Sequence, residues 1–92
     1  MKKADLINAI GETYKDEKVK RDPEISGFLL KFAQQLDEGQ ELGLVSVKLS
    51  KAITNYSLKN NFIIPKSLST LYAKVEKDAE KYRGMMSTNI WL

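Results

Sequence analysis

The clearest structural signal in this chain is the stretch from Asp22 to Leu36, DPEISGFLLKFAQQL. An aspartate can cap free backbone amides, a proline suits the first helical position, and Glu24 lies at the positive end of the helix dipole. Behind this opening the apolar residues recur on one helical face: Ile25, Phe28, Leu29, Phe32 and Leu36. Gly39 is suited to end the helix. The stretch therefore predicts an amphipathic helix over roughly residues 23–38.

Two further helices are predicted before and after this one. The first covers roughly residues 3–17, because Leu6, Ile7, Ile10 and Tyr14 recur at helical spacing. The charged run Asp16–Arg21 then breaks the apolar stripe and is typical of a solvated connection. Another helix runs from about Leu44 to Asn60, with an apolar stripe of its own: Val45, Leu49, Ala52, Ile53 and Tyr56.

The longest apolar stripe follows Pro65, which suits a turn or a first helical position. Its members are Leu68, Leu71, Tyr72, Val75, Ala79 and Tyr82. Two cations, Lys81 and Arg83, followed by Gly84, are typical of a helix end. We therefore expect this helix to end at Gly84. The remaining residues, 85–92, form a short tail that either folds back or meets a partner, because it is too apolar to remain fully solvated.

Strand signals are weak in this sequence. The only β-like run, Asn61 to Ile64, is short and is followed by a proline, which cannot donate to a ladder. Four amphipathic helices with short connections favour antiparallel neighbours. The predicted fold class is all-α, an antiparallel up-down four-helix bundle over residues 1–84 with a short C-terminal tail over residues 85–92.

Length and composition narrow the classes of function. The 92 residues fit one small domain, and 42% hydrophobic with 29% charged residues is typical of a soluble globular chain. The absence of cysteine and histidine excludes disulfides, thiolate metal sites, and Cys-His or Ser-His-Asp catalysis. The sequence shows no signal peptide and no apolar run that spans a bilayer. We expect a cytoplasmic protein that is not an enzyme and needs no metal or cofactor.

The charge of the chain is unevenly distributed. The net charge is +3, from 15 basic and 12 acidic residues. Lysines alternate with acids along most of the chain, which is typical of solvated helix surface and not of a nucleic-acid-binding face. The surplus of positive charge lies in the last third of the sequence, which is therefore the first place to look for an interaction surface.

Glu76 and Glu80 lie four residues apart on the last predicted helix, as a pair of metal-binding carboxylates would. Lys77 and Lys81 alternate with them, however, so an exposed face carrying mixed charges is the favoured interpretation. Without histidine, the Glu-x-x-His motifs of di-iron bundles are absent.

A Ser/Lys nucleophile would need Ser46, Lys48 or Ser50 to act beside an oxyanion hole. Small polar residues near a helix start are more often caps or surface, and no Gly-rich elbow is present. Phe62 and Trp91 differ from the other aromatic residues because they lie outside the apolar stripes. For these two the sequence leaves recognition of a partner and packing against the bundle equally open.

Together these features resemble a known family, the immunity proteins against pediocin-like (class IIa) bacteriocins, in the enterocin A immunity group. The similarity covers nearly the whole chain and rests on the order and spacing of four segments: Asp22-Pro23-Glu24-Ile25, Lys48-Leu49-Ser50-Lys51-Ala52-Ile53-Thr54-Asn55-Tyr56, Ile64-Pro65 with Leu68 and Leu71-Tyr72, and Lys81-Tyr82-Arg83-Gly84. The tail after Gly84 is brief for this family.

The resemblance implies an antiparallel four-helix bundle without catalytic activity, made by lactic acid bacteria. It implies action in the cytoplasm on the membrane receptor of the bacteriocin, the mannose phosphotransferase permease with its bound peptide. It also implies that the C-terminal half decides which bacteriocin is resisted. The partner-binding candidates are therefore Phe62, Lys66, Lys74, Arg83, Met85, Met86 and Trp91. Basic residues in this region would also favour a peripheral contact with the anionic inner membrane surface.

The alternative interpretation is a small helical nucleic-acid-binding or antitoxin-type regulatory module. Such a module would bind DNA or RNA with an affinity that falls steeply with salt concentration. The alternation of lysines with acids argues against it, so no nucleic-acid partner is expected. The oligomeric state is left open by the sequence.

Overall fold

In the computed structural model, five helices make up most of the chain; the structure describes the backbone of residues 1–91 and the side chains of residues 1–84. The helices are α1 (Lys3–Tyr14), α2 (Glu17–Lys20), α3 (Pro23–Asp37), α4 (Leu42–Lys59) and α5 (Lys66–Trp91). No strand occurs within residues 1–91. The predicted all-α fold class is confirmed.

Helices α1, α3, α4 and α5 form an antiparallel bundle in which each packs against the next and α5 returns to α1. The direction of the α4–α5 pair follows from two contacts. Gly43 faces Tyr82, and Ser50 bonds to Glu76, so residue numbers rise along one helix as they fall along the other. The α4–α5 interface is the most extensive in the bundle.

The predicted apolar stripes meet in one core. Its fully buried side chains come from every helix, and the largest are Leu6, Val19, Ile25, Leu29, Leu36, Val45, Leu49, Ile53, Leu68, Leu71 and Val75. Burial of these residues removes apolar surface from water at about 25 cal/mol per Å² and supplies the main force that holds the helices together. The stripes predicted for α3, α4 and α5 therefore point inward as expected.

The charged run Asp16–Arg21 is not the solvated connection that was expected. Helix α1 ends at Tyr14, and the run contains the one-turn helix α2. Asp16 caps α2 by accepting from the Lys18 amide (2.9 Å), and it also accepts from the Ser67 hydroxyl on α5 (2.7 Å). These bonds turn Val19 into the core, where it is 0% exposed.

The expected end of the last helix at Gly84 is also wrong. The backbone of α5 continues through Gly84 to Trp91. A glycine permits the left-handed cap conformation but does not impose it. At 1.5 Å per residue, residues 85–91 extend the helix by about 10 Å. Tyr82 already lies opposite Gly43, near the N-terminus of α4. Because the two helices are antiparallel, this extension of α5 passes beyond the N-terminal end of α4.

Two glycines have conformational or steric reasons for their positions. Gly39 follows α3 with φ +95°, a left-handed conformation that terminates the helix as expected. At Gly43 a Cβ atom would lie 2.3 Å from Cδ2 of the Tyr82 ring. The absence of a side chain at residue 43 therefore lets α5 approach α4 closely at this end of the bundle.

Candidate functional site

A groove runs along the outer side of the α4–α5 pair. Its two halves share Thr54 and Tyr72. The first half, about 200 Å³, is mainly apolar, with Ile53, Phe62 and Ile64 among its lining residues. The second half, about 370 Å³, contains charged residues; its remaining lining residues are Val47, Ser50, Lys51, Glu76 and Arg83. The groove thus offers an apolar end and a charged end on one face.

The charged end is organised by a hydrogen-bonded triad that joins α4 to α5. The Ser50 hydroxyl donates to Glu76 Oε2 (2.5 Å). Arg83 donates through Nη1 to Glu76 Oε1 (2.8 Å) and through Nη2 to Ser50 Oγ (3.3 Å). Arg83 is two helical turns from Glu76, so both side chains lie on the side of α5 that faces α4.

Burial alone would raise the pKa of Glu76. Hydrogen bonds from Ser50, Arg83 and Tyr72, with the positive charge of Arg83, outweigh that effect and hold the pKa of Glu76 below its ordinary value. Glu76 is therefore a fixed carboxylate near neutral pH.

These contacts correct two expectations. Ser46 and Ser50 are neither helix caps nor surface residues, because both are buried in α4. Glu76 does not belong to a freely solvated charged face, since it bonds across the helix interface. Lys48 is exposed as expected. No cluster of three or more acidic side chains within the described part of the chain could hold a metal ion.

Replacing Glu76 with alanine should lower the free energy of unfolding by about 1–2 kcal/mol, because Arg83 and the buried Ser50 hydroxyl lose their acceptor. Because the folded pKa of Glu76 is lowered, its contribution is present above the unfolded value of about 4.3 and is lost as pH falls through the folded value. Urea denaturation at pH 7 and at pH 3 measures both effects. The matched control is Glu80→Ala on exposed α5 surface; equal losses in the two variants would contradict a structural role for the triad.

The loop between α4 and α5 forms the rim of the apolar end. Asn61 and Phe62 have φ values of +55° and +64°. The Phe62 amide donates to the Ser57 carbonyl (2.8 Å), which closes the end of α4. Phe62 is 71% exposed and Ile63 is 80% exposed. The loop thus holds two large apolar side chains in solvent beside the groove.

Two of the predicted partner-binding residues line the same groove without being in contact with each other. Phe62 and Arg83 lie at opposite ends of the α4–α5 groove. Lys66 is exposed at the start of α5, but it does not line the groove. Lys74 is exposed on the other side of α5. The side chains of Met85, Met86 and Trp91 lie outside the described residues, so their predicted role stays a prediction.

Lys74 lines a second, larger groove of about 690 Å³ between α1 and α5. Acidic residues of α1, Asp5 and Glu12, line it together with Lys74 and Lys77 of α5. Both grooves carry charges of both signs, but only the α4–α5 groove has the exposed Phe62 of the loop in its lining. No helix within the described residues has the length and apolarity needed to cross a membrane.

Sequence reasoning did not identify Thr54, Ser50, Glu76 or Tyr72 as parts of one site. The seven-residue spacing of Glu76 and Arg83 on one helix face was a usable signal for their ion pair. Nothing in the local sequence pairs Ser50 with a residue 26 positions later. Ile63 was not singled out as a candidate site residue.

Comparisons with known proteins identify a family for this chain. The model of the Bacteriocin immunity protein family matches residues 1–80. The chain is 37% identical over 90 residues to the hiracin-JM79 immunity factor of Enterococcus hirae, with 98% of this chain and 95% of that protein covered. It is 32% identical over 82 residues to the putative carnobacteriocin-B2 immunity protein of Carnobacterium maltaromaticum, with 85% and 73% covered.

No solved structure matches this chain. The family match covers most of the sequence, and the two relatives match across most of their own lengths. These matches favour the immunity family over the alternative interpretation, a nucleic-acid-binding or antitoxin-type module. The chain, which folds as the four-helix bundle described above, therefore belongs to the bacteriocin immunity protein family.

Proposed function

We propose that this protein protects a bacterial cell against a pediocin-like bacteriocin by acting, from the cytoplasmic side, on the receptor permease that has bound the peptide. The observation that carries the proposal is the family match over residues 1–80. The two relatives are named as immunity proteins. The receptor in this proposal is the mannose phosphotransferase permease, as the family resemblance implies.

The α4–α5 groove is the contact surface that best suits this role. A groove with apolar residues at one end and fixed charges at the other fits one face of an amphipathic helix. Phe62 and Ile64 would meet the apolar side chains of such a segment. Lys51 and Arg83 would meet its polar residues, and Arg83 is already held in position by Glu76. Little side-chain ordering would then oppose binding at the charged end.

Two other parts of α5 contribute to the proposed recognition in different ways. Lys66 and Lys74 are exposed and form no ion pair within the described residues, so they are available to acidic groups of the partner. Lys74 lies across α5 from the groove, so a partner that touches both must wrap around this helix. Met85, Met86 and Trp91 belong to the extension of α5 past Arg83, and we propose that they prolong the contact.

Filling the groove should remove protection without unfolding the bundle. Thr54 is exposed and lines both halves of the groove. A Thr54→Trp variant places a large ring there. We expect the bacteriocin concentration that inhibits cells expressing this variant to fall by about tenfold or more, which corresponds to a loss of about 1.4 kcal/mol in binding free energy. The measurement is growth of a sensitive strain that expresses the variant, challenged with several pediocin-like peptides.

The matched control for this assay is Asn55→Trp, on the next residue of α4, which is exposed and lines neither half of the groove. If both variants protect equally, the groove is not the contact surface. A chain ending at Gly84 is a second arm, expected to keep its helical circular dichroism and to lose protection. Full protection by this shortened chain would remove the end of α5 from the proposal.

A further inference from the structure

The end of the bundle that carries the α4–α5 loop has an apolar tip, formed by Leu58, Phe62 and Ile63. All three are exposed, and the two loop residues are the most exposed of the large hydrophobic side chains described. Single exposed apolar residues are common on soluble proteins. Two adjacent ones in the loop at this end of the bundle give an exposed apolar surface, which is characteristic of a contact site.

The loop backbone holds this tip in a costly conformation. Asparagine adopts a positive φ readily, but an aromatic residue such as Phe62 does so rarely. Two hydrogen bonds maintain the shape: the Phe62 amide donates to Ser57, and the Ile63 amide donates to the Asn60 carbonyl (3.0 Å). Backbone strain that the surrounding structure maintains is found preferentially at ligand contacts and other functional sites.

Two lysines at this end of the bundle have no acidic partner among the described residues. Every acidic group at this end of the bundle already has a hydrogen-bond or ion-pair partner, namely Asp16 and Asp22 as helix caps, Glu17 with Arg21, and Glu24 with Lys59. Lys20 and Lys66 are exposed and form no ion pair with the described residues. Lys66 follows the loop at the start of α5, and Lys20 belongs to α2, whose cap Asp16 bonds to Ser67 of α5. This end of the bundle therefore carries cations that lack a counterion among the described residues.

We propose that this tip inserts into the headgroup region of an anionic lipid membrane, with Lys20 and Lys66 against the lipid phosphates. A few exposed loop side chains offer far less area than the roughly 800 Å² per partner of a standard protein interface. A membrane surface needs no complementary cavity, and binding there depends on buried apolar area together with attraction to anionic lipid. This lipid contact goes beyond the proposed action on the permease and does not require it.

The test is sedimentation of the full chain with vesicles that contain no protein. Vesicles of phosphatidylglycerol and phosphatidylcholine are compared with vesicles of phosphatidylcholine alone. We expect binding to the mixed vesicles, reduced about tenfold or more in Phe62→Ser/Ile63→Ser, because both apolar side chains are lost. Ile63→Ser alone should reduce binding without altering the α4–α5 groove. Lys20→Gln/Lys66→Gln should lower binding to the mixed vesicles by about fivefold per lysine.

The matched control is Leu30→Ser, which removes a comparably exposed apolar side chain (57%) from α3 without changing the charge. Circular dichroism of each variant verifies its fold. The inference is overturned if the wild-type chain does not sediment with mixed vesicles, as would be expected of a tip that recognises a protein. It is also overturned if Leu30→Ser lowers binding as much as the tip variants, or if the tip variants bind normally. Protection in the peptide challenge is scored separately, so the permease proposal can fail or hold independently.

Discussion

Replacing Val19 with aspartate should lower the free energy of unfolding by about 3 kcal/mol or more, enough to unfold a large fraction of a domain of this size. Val19 is fully buried although it lies between two exposed lysines in α2. A carboxylate there would be buried among apolar side chains without a cation to compensate it. Burying an unpaired charge is one of the few single substitutions that destabilise a protein by this much. Urea denaturation followed by circular dichroism measures the loss.

The control for Val19→Asp is Lys18→Ala, which makes the net charge more negative by the same amount on an exposed neighbour. We expect this variant to change stability by less than about 0.5 kcal/mol. Val19→Ala, which only removes two methyl groups, should fall between the two variants, at about 1–2 kcal/mol. If Val19→Asp is no less stable than Lys18→Ala, α2 does not close the core as described.

Replacing Asp22 with alanine is expected to lower the free energy of unfolding by about 2–5 kcal/mol, because it removes two kinds of bond at once. Asp22 Oδ1 accepts from the amides of Glu24 (2.9 Å) and Ile25 (3.1 Å), a cap worth about 1–2 kcal/mol. Asp22 Oδ2 also accepts from the hydroxyl of Tyr56 on α4. Tyr56 is buried, so its orphaned hydroxyl adds about 1–3 kcal/mol.

A double-mutant cycle separates the two contributions of Asp22. In Asp22→Ala/Tyr56→Phe no hydroxyl is left without an acceptor, so the double variant should be less destabilised than the sum of the single variants. Strict additivity would show that the cap alone accounts for the loss, and that Tyr56 is not held by Asp22.

The same pair predicts how stability depends on pH. Burial by itself would raise the pKa of Asp22, but hydrogen bonds from Tyr56 and from the two amides lower it. Its contribution is therefore present above the unfolded value of about 3.9 and is lost as pH falls through the folded value. The bond to Asp22 raises the pKa of Tyr56 to about 12. The stability from neutral Tyr56 is present below about pH 10 and is lost as pH rises through the folded value.

The bundle was predictable because its long helices are amphipathic over several turns. The cap at Asp22 and the stripe from Ile25 to Leu36 identify α3 without reference to any other part of the chain. Helix α2 could not be found in this way, since one turn has no measurable period and Val19 is its only apolar residue. The end of α5 was misplaced because a glycine after basic residues is compatible both with a cap and with a continuing helix.

The candidate site was only partly predictable. Phe62 stood out because it lies between helices, and Arg83 because of the surplus charge in the last third. The partners that fix Arg83, and the groove centred on Thr54 and Tyr72, depend on how α5 is rotated against α4. That rotation is set by packing between segments distant in the sequence.

The contact between Gly43 and Tyr82 has a bearing on the width of the groove. The Tyr82 ring occupies the space that a Cβ atom at residue 43 would need, and its neighbour in the sequence, Arg83, lines the charged end. A methyl group at residue 43 would force the Tyr82 ring or helix α5 to shift at this end, and a shift of α5 would move the Arg83 guanidinium relative to Ser50. The spacing that a bound segment would encounter there is thus governed by the smallest residue in the interface.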